Sequence, residues 1–145
     1  MSLPPGYVLH DAPPTVDDYL RLRRETGLRA KTPAQAAAVL VGSWSVCHVT
    51  APDGAVAAMG RVVGDGGWYF VVADMATSPA HQRRGLGLAV LDHLLADVAR
   101  RAPDDAYVSL TTEAAGRALY ERAGFIPLTP DQTAMQLVLP GRATP

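Results

Sequence analysis

The chain has 145 residues, the length of one ordinary domain, and can bury a sizeable core without a metal or disulfide staple. Hydrophobic residues make up 48% and charged residues 19%, which excludes an intrinsically disordered chain. A formal net charge of -1 argues against nucleic acid or an anionic membrane surface as a partner.

Proline and glycine divide the chain into short elements. Tyr7–His10 reads as a first strand, closed by Pro13-Pro14. Thr15 stands where an N-cap belongs, opening a helix through Tyr19, Leu20 and Arg23 that ends near Gly27. Thr32-Pro33 repeats the signal for a helix through Leu40, because proline fits the first helical position. Trp44–Thr50 and Ala55–Val63 are strand-like runs around the turn Pro52-Asp53-Gly54. Gly64-Asp65-Gly66-Gly67 is a second tight turn and leads into the strand Trp68–Ala76. Gly85–Arg101 is the clearest helix, with Leu88, Leu91, Leu95 and Val98 on one face. A strand over Tyr107–Thr111, a helix over Ala114–Ala123 stopped by Gly124, and a last strand over Ala134–Leu139 complete the order. The tail Gly141–Pro145 is expected to fray. This order predicts one α/β domain over residues 1–145, a mixed and mostly antiparallel sheet with helices on both faces.

Cys47 is the sole cysteine, so neither an internal disulfide nor a cysteine metal cluster is expected. His10, His48, His81 and His93 form no HxxxH or HExxH pair, and no metal is expected. No apolar run reaches the roughly 18 residues that would span a membrane. The opening Met-Ser-Leu-Pro-Pro-Gly lacks the features of a secretory signal, so a cytoplasmic, reducing location is the expectation.

The chemistry is concentrated between Tyr69 and Gly87. A strand ends, a short loop turns at Pro79, and a helix begins inside Gln82-Arg83-Arg84-Gly85-Leu86-Gly87. A helix start offers unpaired N–H groups and a positive dipole end, a natural seat for phosphate. Gly85 and Gly87 let a pyrophosphate approach the backbone, and Arg83 and Arg84 add charge. A Walker A loop is excluded by the missing Gly-Lys-Ser/Thr, and a dinucleotide fingerprint by Val90 three residues after Gly87.

A second stretch reads Ala118-Leu119-Tyr120-Glu121-Arg122-Ala123-Gly124-Phe125. Together the two stretches resemble the GNAT superfamily of N-acetyltransferases. The first resembles its Gln/Arg-x-x-Gly-x-Gly/Ala acetyl-CoA loop, and the second its closing Leu-Tyr-Glu-x-x-Gly-Phe segment. Gly60-Arg61-Val62-Val63-Gly64-Asp65-Gly66-Gly67 further resembles a subgroup of small, single-domain bacterial members that acetylate small amines.

The resemblance implies acetyl-CoA as co-substrate. Backbone groups of Met75, Ala76 and Thr77 would then take the pantetheine arm as an added strand. Backbone N–H groups from Arg83 through Gly85, Leu86 and Gly87 to Leu88 would hold the pyrophosphate beside Gln82 and Arg84. Tyr120 matches the tyrosine that such enzymes place near the thioester sulfur as general acid. The amine attacks the thioester directly, so Cys47 is not needed and is expected as a small core residue.

Asp74, ending a strand of apolar residues, is the candidate base, on the expectation that burial raises its pKa. His48, His81, Glu113 or a chain of waters are poorer candidates. Leu28, Trp44 and Arg61 are expected to line the acceptor pocket, Arg61 suggesting a carboxylate on the acceptor. The leading expectation is transfer of acetyl to a small-molecule amine or amino-acid-like acceptor. The alternatives are a protein N-terminal or lysine acetyltransferase and a non-catalytic acyl-CoA-binding module. A homodimer, the commonest soluble assembly, is the expected oligomer.

Overall fold

The computed structural model describes residues 2–141. Strand β1 (Val8–His10) is followed by helices α1 (Val16–Glu25) and α2 (Pro33–Gly42) and strands β2 (Ser45–Thr50), β3 (Val56–Gly64) and β4 (Tyr69–Thr77). Helix α3 (Leu86–Arg101), strand β5 (Tyr107–Ser109) and the short helix α4 (Arg117–Arg122) complete the order, with 3-10 turns at Pro79–His81 and Ala114–Gly116. The chain divides into two units, one up to Leu110 and one from Thr111 on.

The first unit holds a five-stranded sheet in the order β1-β2-β3-β4-β5, antiparallel except for the parallel pair β4–β5. This is the mixed, mostly antiparallel sheet that the sequence predicts. The helix starts form as the capping residues dictate. The Thr15 hydroxyl accepts from the Asp18 N–H, and Thr32 and Gln35 form a reciprocal capping box with Pro33 in the first turn. The Asp65 carboxylate closes the β3–β4 turn by accepting from the N–H groups of Gly67, Trp68 and Tyr69.

Strand alternation divides the core between two faces. On one face Tyr19, Leu22, Ala36 and Leu40 of α1 and α2 pack with Met59 and Ala76, and Val46 joins them. On the other, the Cys47 thiol reaches the Val90 carbonyl of α3. Gly60, paired with Cys47, lets α3 sit close: a Cβ there would lie 2.8 Å from a Val90 methyl carbon.

One irregularity positions the site. Met59 pairs with Ala76 and Arg61 with Ala73, so a single β3 residue, Gly60, opposes two on β4, Asp74 and Met75. Asp74 takes a left-handed φ of 54°, the mark of a β-bulge that re-aims a side chain. The β5 ladder covers only Tyr69–Val71 of β4. Among the described residues, the same edge from Val72 to Thr77 carries no strand.

In the second unit, the expected helix over Ala114–Ala123 is divided into a 3-10 turn and the six-residue α4, with poorly helix-forming Gly116 at the junction. Gly124 stops it at φ 95°, and the Phe125 N–H returns to the Tyr120 carbonyl. The expected strand over Ala134–Leu139 does not form. A strand is held by its ladder, and this segment has no partner among the described residues; Met135 and Leu137 are exposed. Beyond Gly141 the expected frayed tail lies outside the described residues.

Candidate active site

The β4 bulge turns Asp74 toward α1, where Tyr19 and Arg23, four residues apart, share the inward face. Arg23 Nη1 donates to Asp74 Oδ1 at 2.5 Å, and Arg61 Nε of β3 donates to Oδ2 at 2.7 Å. The Tyr19 hydroxyl also donates to Oδ2. Arg23 further ties down the segment after α1, donating from Nε and Nη2 to the Arg29 carbonyl. Side-chain exposure is 7% for Arg23, 13% for Asp74 and 16% for Arg61, so the cluster is largely withdrawn from water. Tyr19, Arg61 and Asp74 border a narrow crevice, too tight for a water molecule, whose other walls include Leu40, Val46 and Met59.

This geometry corrects one expectation. Burial is the largest influence on Asp74 and pushes its pKa up, as the sequence suggests. Hydrogen bonds from Tyr19 and Arg61 and the charges of Arg61 and Arg23 outweigh it, and the carboxyl is held below its ordinary value. With three donors on two oxygens, Asp74 is a weakly basic carboxylate. The Tyr19 phenol moves the opposite way, raised by its burial and by the Asp74 carboxylate it serves.

The second feature is the passage from β4 into α3. Gln82 Nε2 donates to the Thr77 carbonyl at 3.2 Å, folding the loop back onto the strand end. Arg83 is left-handed at φ 59°, a conformation that costs a non-glycine residue about 1 kcal/mol or more and must be imposed by its surroundings. Gly85 caps α3 at φ 79° and offers no side-chain cap. No atom lies within 4 Å of where its Cβ would stand. The first helical bond runs from the Ala89 N–H to the Gly85 carbonyl, so the N–H groups of Leu86, Gly87 and Leu88 precede the ladder. Exposed Arg83 and Arg84 flank this start. An uncapped, unobstructed helix start beside two cations fits a phosphate group.

The remaining candidates are distributed differently. Tyr120 belongs to the second unit, on α4, with Phe125 edge-on at 6.0 Å; burial raises its phenol pKa. Leu28 packs against the α1–α2 core cluster. Trp44 is engaged by Phe70 and by the Arg101 guanidinium, 3.9 Å over its ring, and does not border the crevice. Cys47 is fully buried, with its thiol pushed up to about 12 chiefly by burial. His48 stacks on His10 and bonds the Ala12 carbonyl, while His81 bonds the Tyr7 hydroxyl.

Sequence reasoning missed Tyr19 and Arg23. The available signal was spacing: Tyr19, Leu22 and Arg23 fall on one helical face, and an arginine on a buried face requires a counter-charge. Among the described residues no group of three histidine, cysteine or acidic side chains could hold a metal. No described helix is long and apolar enough to cross a membrane.

The family model described as "Acetyltransferase (GNAT) domain" matches residues 43–127. No curated protein matches the sequence significantly. Among solved structures, a probable acetyltransferase from meticillin-resistant Staphylococcus aureus is 28% identical with a TM-score of 0.86, over 92% of this chain and 99% of that one. A GNAT-family acetyltransferase from Streptococcus pneumoniae is 25% identical, over 92% and 98% of the two chains, with a TM-score of 0.74. The ribosomal-protein-S18-alanine N-acetyltransferase of Escherichia coli shares the fold at 23% identity, a TM-score of 0.70, and 85% and 79% coverage. The family match spans more than half of the chain and implies acetyl-CoA as co-substrate; the chain belongs to the GNAT acetyltransferase family and is an acetyltransferase.

Proposed function

We propose that the protein transfers the acetyl group of acetyl-CoA directly to the primary amine of a small acceptor. The observation that carries this reading is the open β4 edge from Val72 to Thr77, leading through the Pro79–His81 turn into the uncapped start of α3. The edge offers Met75, Ala76 and Thr77 main-chain groups to the amide-bearing pantetheine arm. The helix start offers the N–H groups of Arg83 to Leu88 to the pyrophosphate, with Arg83 and Arg84 as counter-charges. Gln82 holds the two features together.

The chemistry needs an uncharged amine. An alkylammonium ion (pKa about 10.4) gives up a proton, and its nitrogen then attacks the thioester carbonyl. Asp74, engaged by three donors and weakly basic, is assigned to positioning Arg61, Arg23 and Tyr19, and water takes that proton. As the tetrahedral intermediate collapses, the carbon–sulfur bond breaks, the nitrogen gives its second proton to water, the Tyr120 phenol protonates the departing thiolate, and solvent returns a proton to the phenolate. A phenol whose pKa is raised by burial stays protonated until the thiolate appears.

The test is thiol release from acetyl-CoA against small amines, polyamines, amino acids, aminoglycosides and peptides. Turnover with small amines or amino acids is expected. Turnover with peptides alone would reassign the enzyme to protein acceptors, and CoA binding without any turnover would mark a non-catalytic module.

A further inference from the structure

The segment between β4 and α3 is held by few bonds of its own. Ser78 is buried and donates its N–H to the Ala57 carbonyl of β3, and the His81 N–H returns to the Ser78 carbonyl. Gln82 reaches back to Thr77. From Arg83 to Gly85 the chain is exposed, yet Arg83 keeps a left-handed φ of 59°, which such a residue holds only where its surroundings impose it.

Among the described residues, the one side-chain hydrogen bond that ties residues 79–85 to a distant part of the chain joins His81 to Tyr7. The Tyr7 hydroxyl and His81 Nδ1 are 2.9 Å apart, and the rings meet edge-on with centroids 5.8 Å apart. Both side chains are half-buried. The sheet brings them together: Tyr7 leads into β1, whose start pairs with the end of β2, and the start of β3 pairs with the end of β4 at the same end of the sheet.

Tyr7 is itself anchored. Its N–H donates to the Pro4 carbonyl, and the next residue, Val8, pairs with Thr50. Gly6, at φ 82°, presses on Pro52 just beyond β2, where a Cβ would lie 2.7 Å from Pro52 Cγ. A close approach that glycine alone permits fixes this arm against the β2–β3 turn. The firm side of the Tyr7–His81 pair is the sheet end, and the side that gains order is the loop.

Resting on the acetyl-CoA site proposed above, we infer that Tyr7 and His81 are positioning residues for the pyrophosphate loop. Their hydrogen bond holds the Pro79–His81 turn on the sheet end, so that the segment from Arg83 to Leu88 is already in its binding conformation when the co-substrate arrives. A loop that occupies that conformation only part of the time binds with an affinity reduced by the same fraction. The pair therefore acts on the pyrophosphate end of acetyl-CoA and leaves the thioester end untouched.

The experiment uses the full chain with Tyr7→Phe, which keeps the ring and removes the hydroxyl. Calorimetric titration with CoA is expected to give a Kd about fivefold higher, the size of one hydrogen bond. With acetyl-CoA as donor, KM should rise by a similar factor while kcat stays unchanged. With S-acetylpantetheine, which carries the same thioester and arm but no pyrophosphate, kcat/KM should match the wild type. His81→Leu should behave like Tyr7→Phe. His81→Asn, whose side-chain oxygen stands near the position of Nδ1 and accepts from the Tyr7 hydroxyl, should recover part of the affinity.

Trypsin reads the loop without ligand or turnover, because Arg83 and Arg84 are exposed. Cleavage there should be several-fold faster in Tyr7→Phe at an unchanged melting temperature. Titration and proteolysis decide the inference whether or not an acceptor turns over. Unchanged CoA affinity in folded Tyr7→Phe, or equal losses with acetyl-CoA and S-acetylpantetheine, would overturn it. Gly87→Val separates it from the reading on which it rests. Affinity lowered by Gly87→Val and untouched by Tyr7→Phe keeps the loop as the CoA site and removes the pair. Affinity indifferent to both variants removes the loop itself, and the inference with it.

Discussion

Arg61 Nε lies 2.7 Å from Asp74 Oδ2 across the β3–β4 bulge, and this pair joins the two strands where their regular ladder is interrupted. The extra β4 residue turns Asp74 toward α1, so one carboxylate fixes a strand arginine, a helix arginine and a tyrosine. Removing it strands two nearly buried cations. Asp74→Asn is expected to destabilise the fold by about 3–5 kcal/mol, the usual result of breaking one side of a buried ion pair.

The acid dependence follows from the direction of the shift. The folded-state pKa of Asp74 lies below its unfolded value, so the folded state binds this proton less tightly. Its stabilisation is complete above the unfolded value of about 3.9 and is lost as pH falls through the folded pKa. Melting curves should therefore separate wild type from Asp74→Asn at neutral pH and converge in strong acid. A gap that persists unchanged to pH 2 would contradict this account. Kinetically, a missing base would be rescued by raising pH, which supplies free amine. A positioning role predicts a lowered kcat/KM that high pH does not restore.

The helix caps were legible because they are local: Thr32 and Gln35 satisfy each other within one turn, whatever the rest of the fold does. The antiparallel succession of β2, β3 and β4 was legible from its turns. The Asp74 environment was not, because its value depends on residues 51 and 13 positions away in sequence, and their charges reverse the effect of burial. Ala134–Leu139 reads as a strand by composition, yet strand formation depends on a partner that composition does not specify. The surroundings of Trp44 were not legible for the same reason, since its neighbours Phe70 and Arg101 come from distant elements.

The loop into α3 gives a prediction for the co-substrate. Gly87→Val adds a branched side chain in the first turn, beside the N–H groups assigned to the pyrophosphate. CoA affinity should fall more than tenfold, about 1.4 kcal/mol or more, while the fold persists. Calorimetric titration of the folded variant measures it, and unchanged affinity would remove this loop from the CoA site.

Cys47 offers a test of the core that is independent of catalysis. Burial, with smaller contributions from Asp11 and Asp97, pushes its thiol up to about 12, so almost no thiolate exists at pH 8.5. An unperturbed thiol would be roughly half ionised there. Iodoacetamide should modify the native chain more than a hundredfold more slowly than the urea-unfolded chain. The raised pKa also implies stability that is present below the ordinary thiol range and is lost as pH rises through about 12. Rapid native labelling would show that the β2–α3 packing opens readily.

Tyr120 tests the proposed protonation of the leaving thiolate. Tyr120→Phe removes one hydroxyl and leaves the ring, so the edge-on contact with Phe125 should survive and the melting temperature should change little. If the phenol protonates the leaving thiolate, the loss appears in kcat, roughly 10²-fold or about 2.7 kcal/mol, with acetyl-CoA binding nearly intact. Burial holds the phenol pKa above its ordinary value, so the wild-type rate should show no fall from Tyr120 ionisation as pH rises to 9. An acyl donor with a more acidic thiol needs less help, and the ratio of wild-type to variant rates should shrink with it. Full activity of a folded Tyr120→Phe variant would remove the phenol from the mechanism and leave solvent to protonate the thiolate.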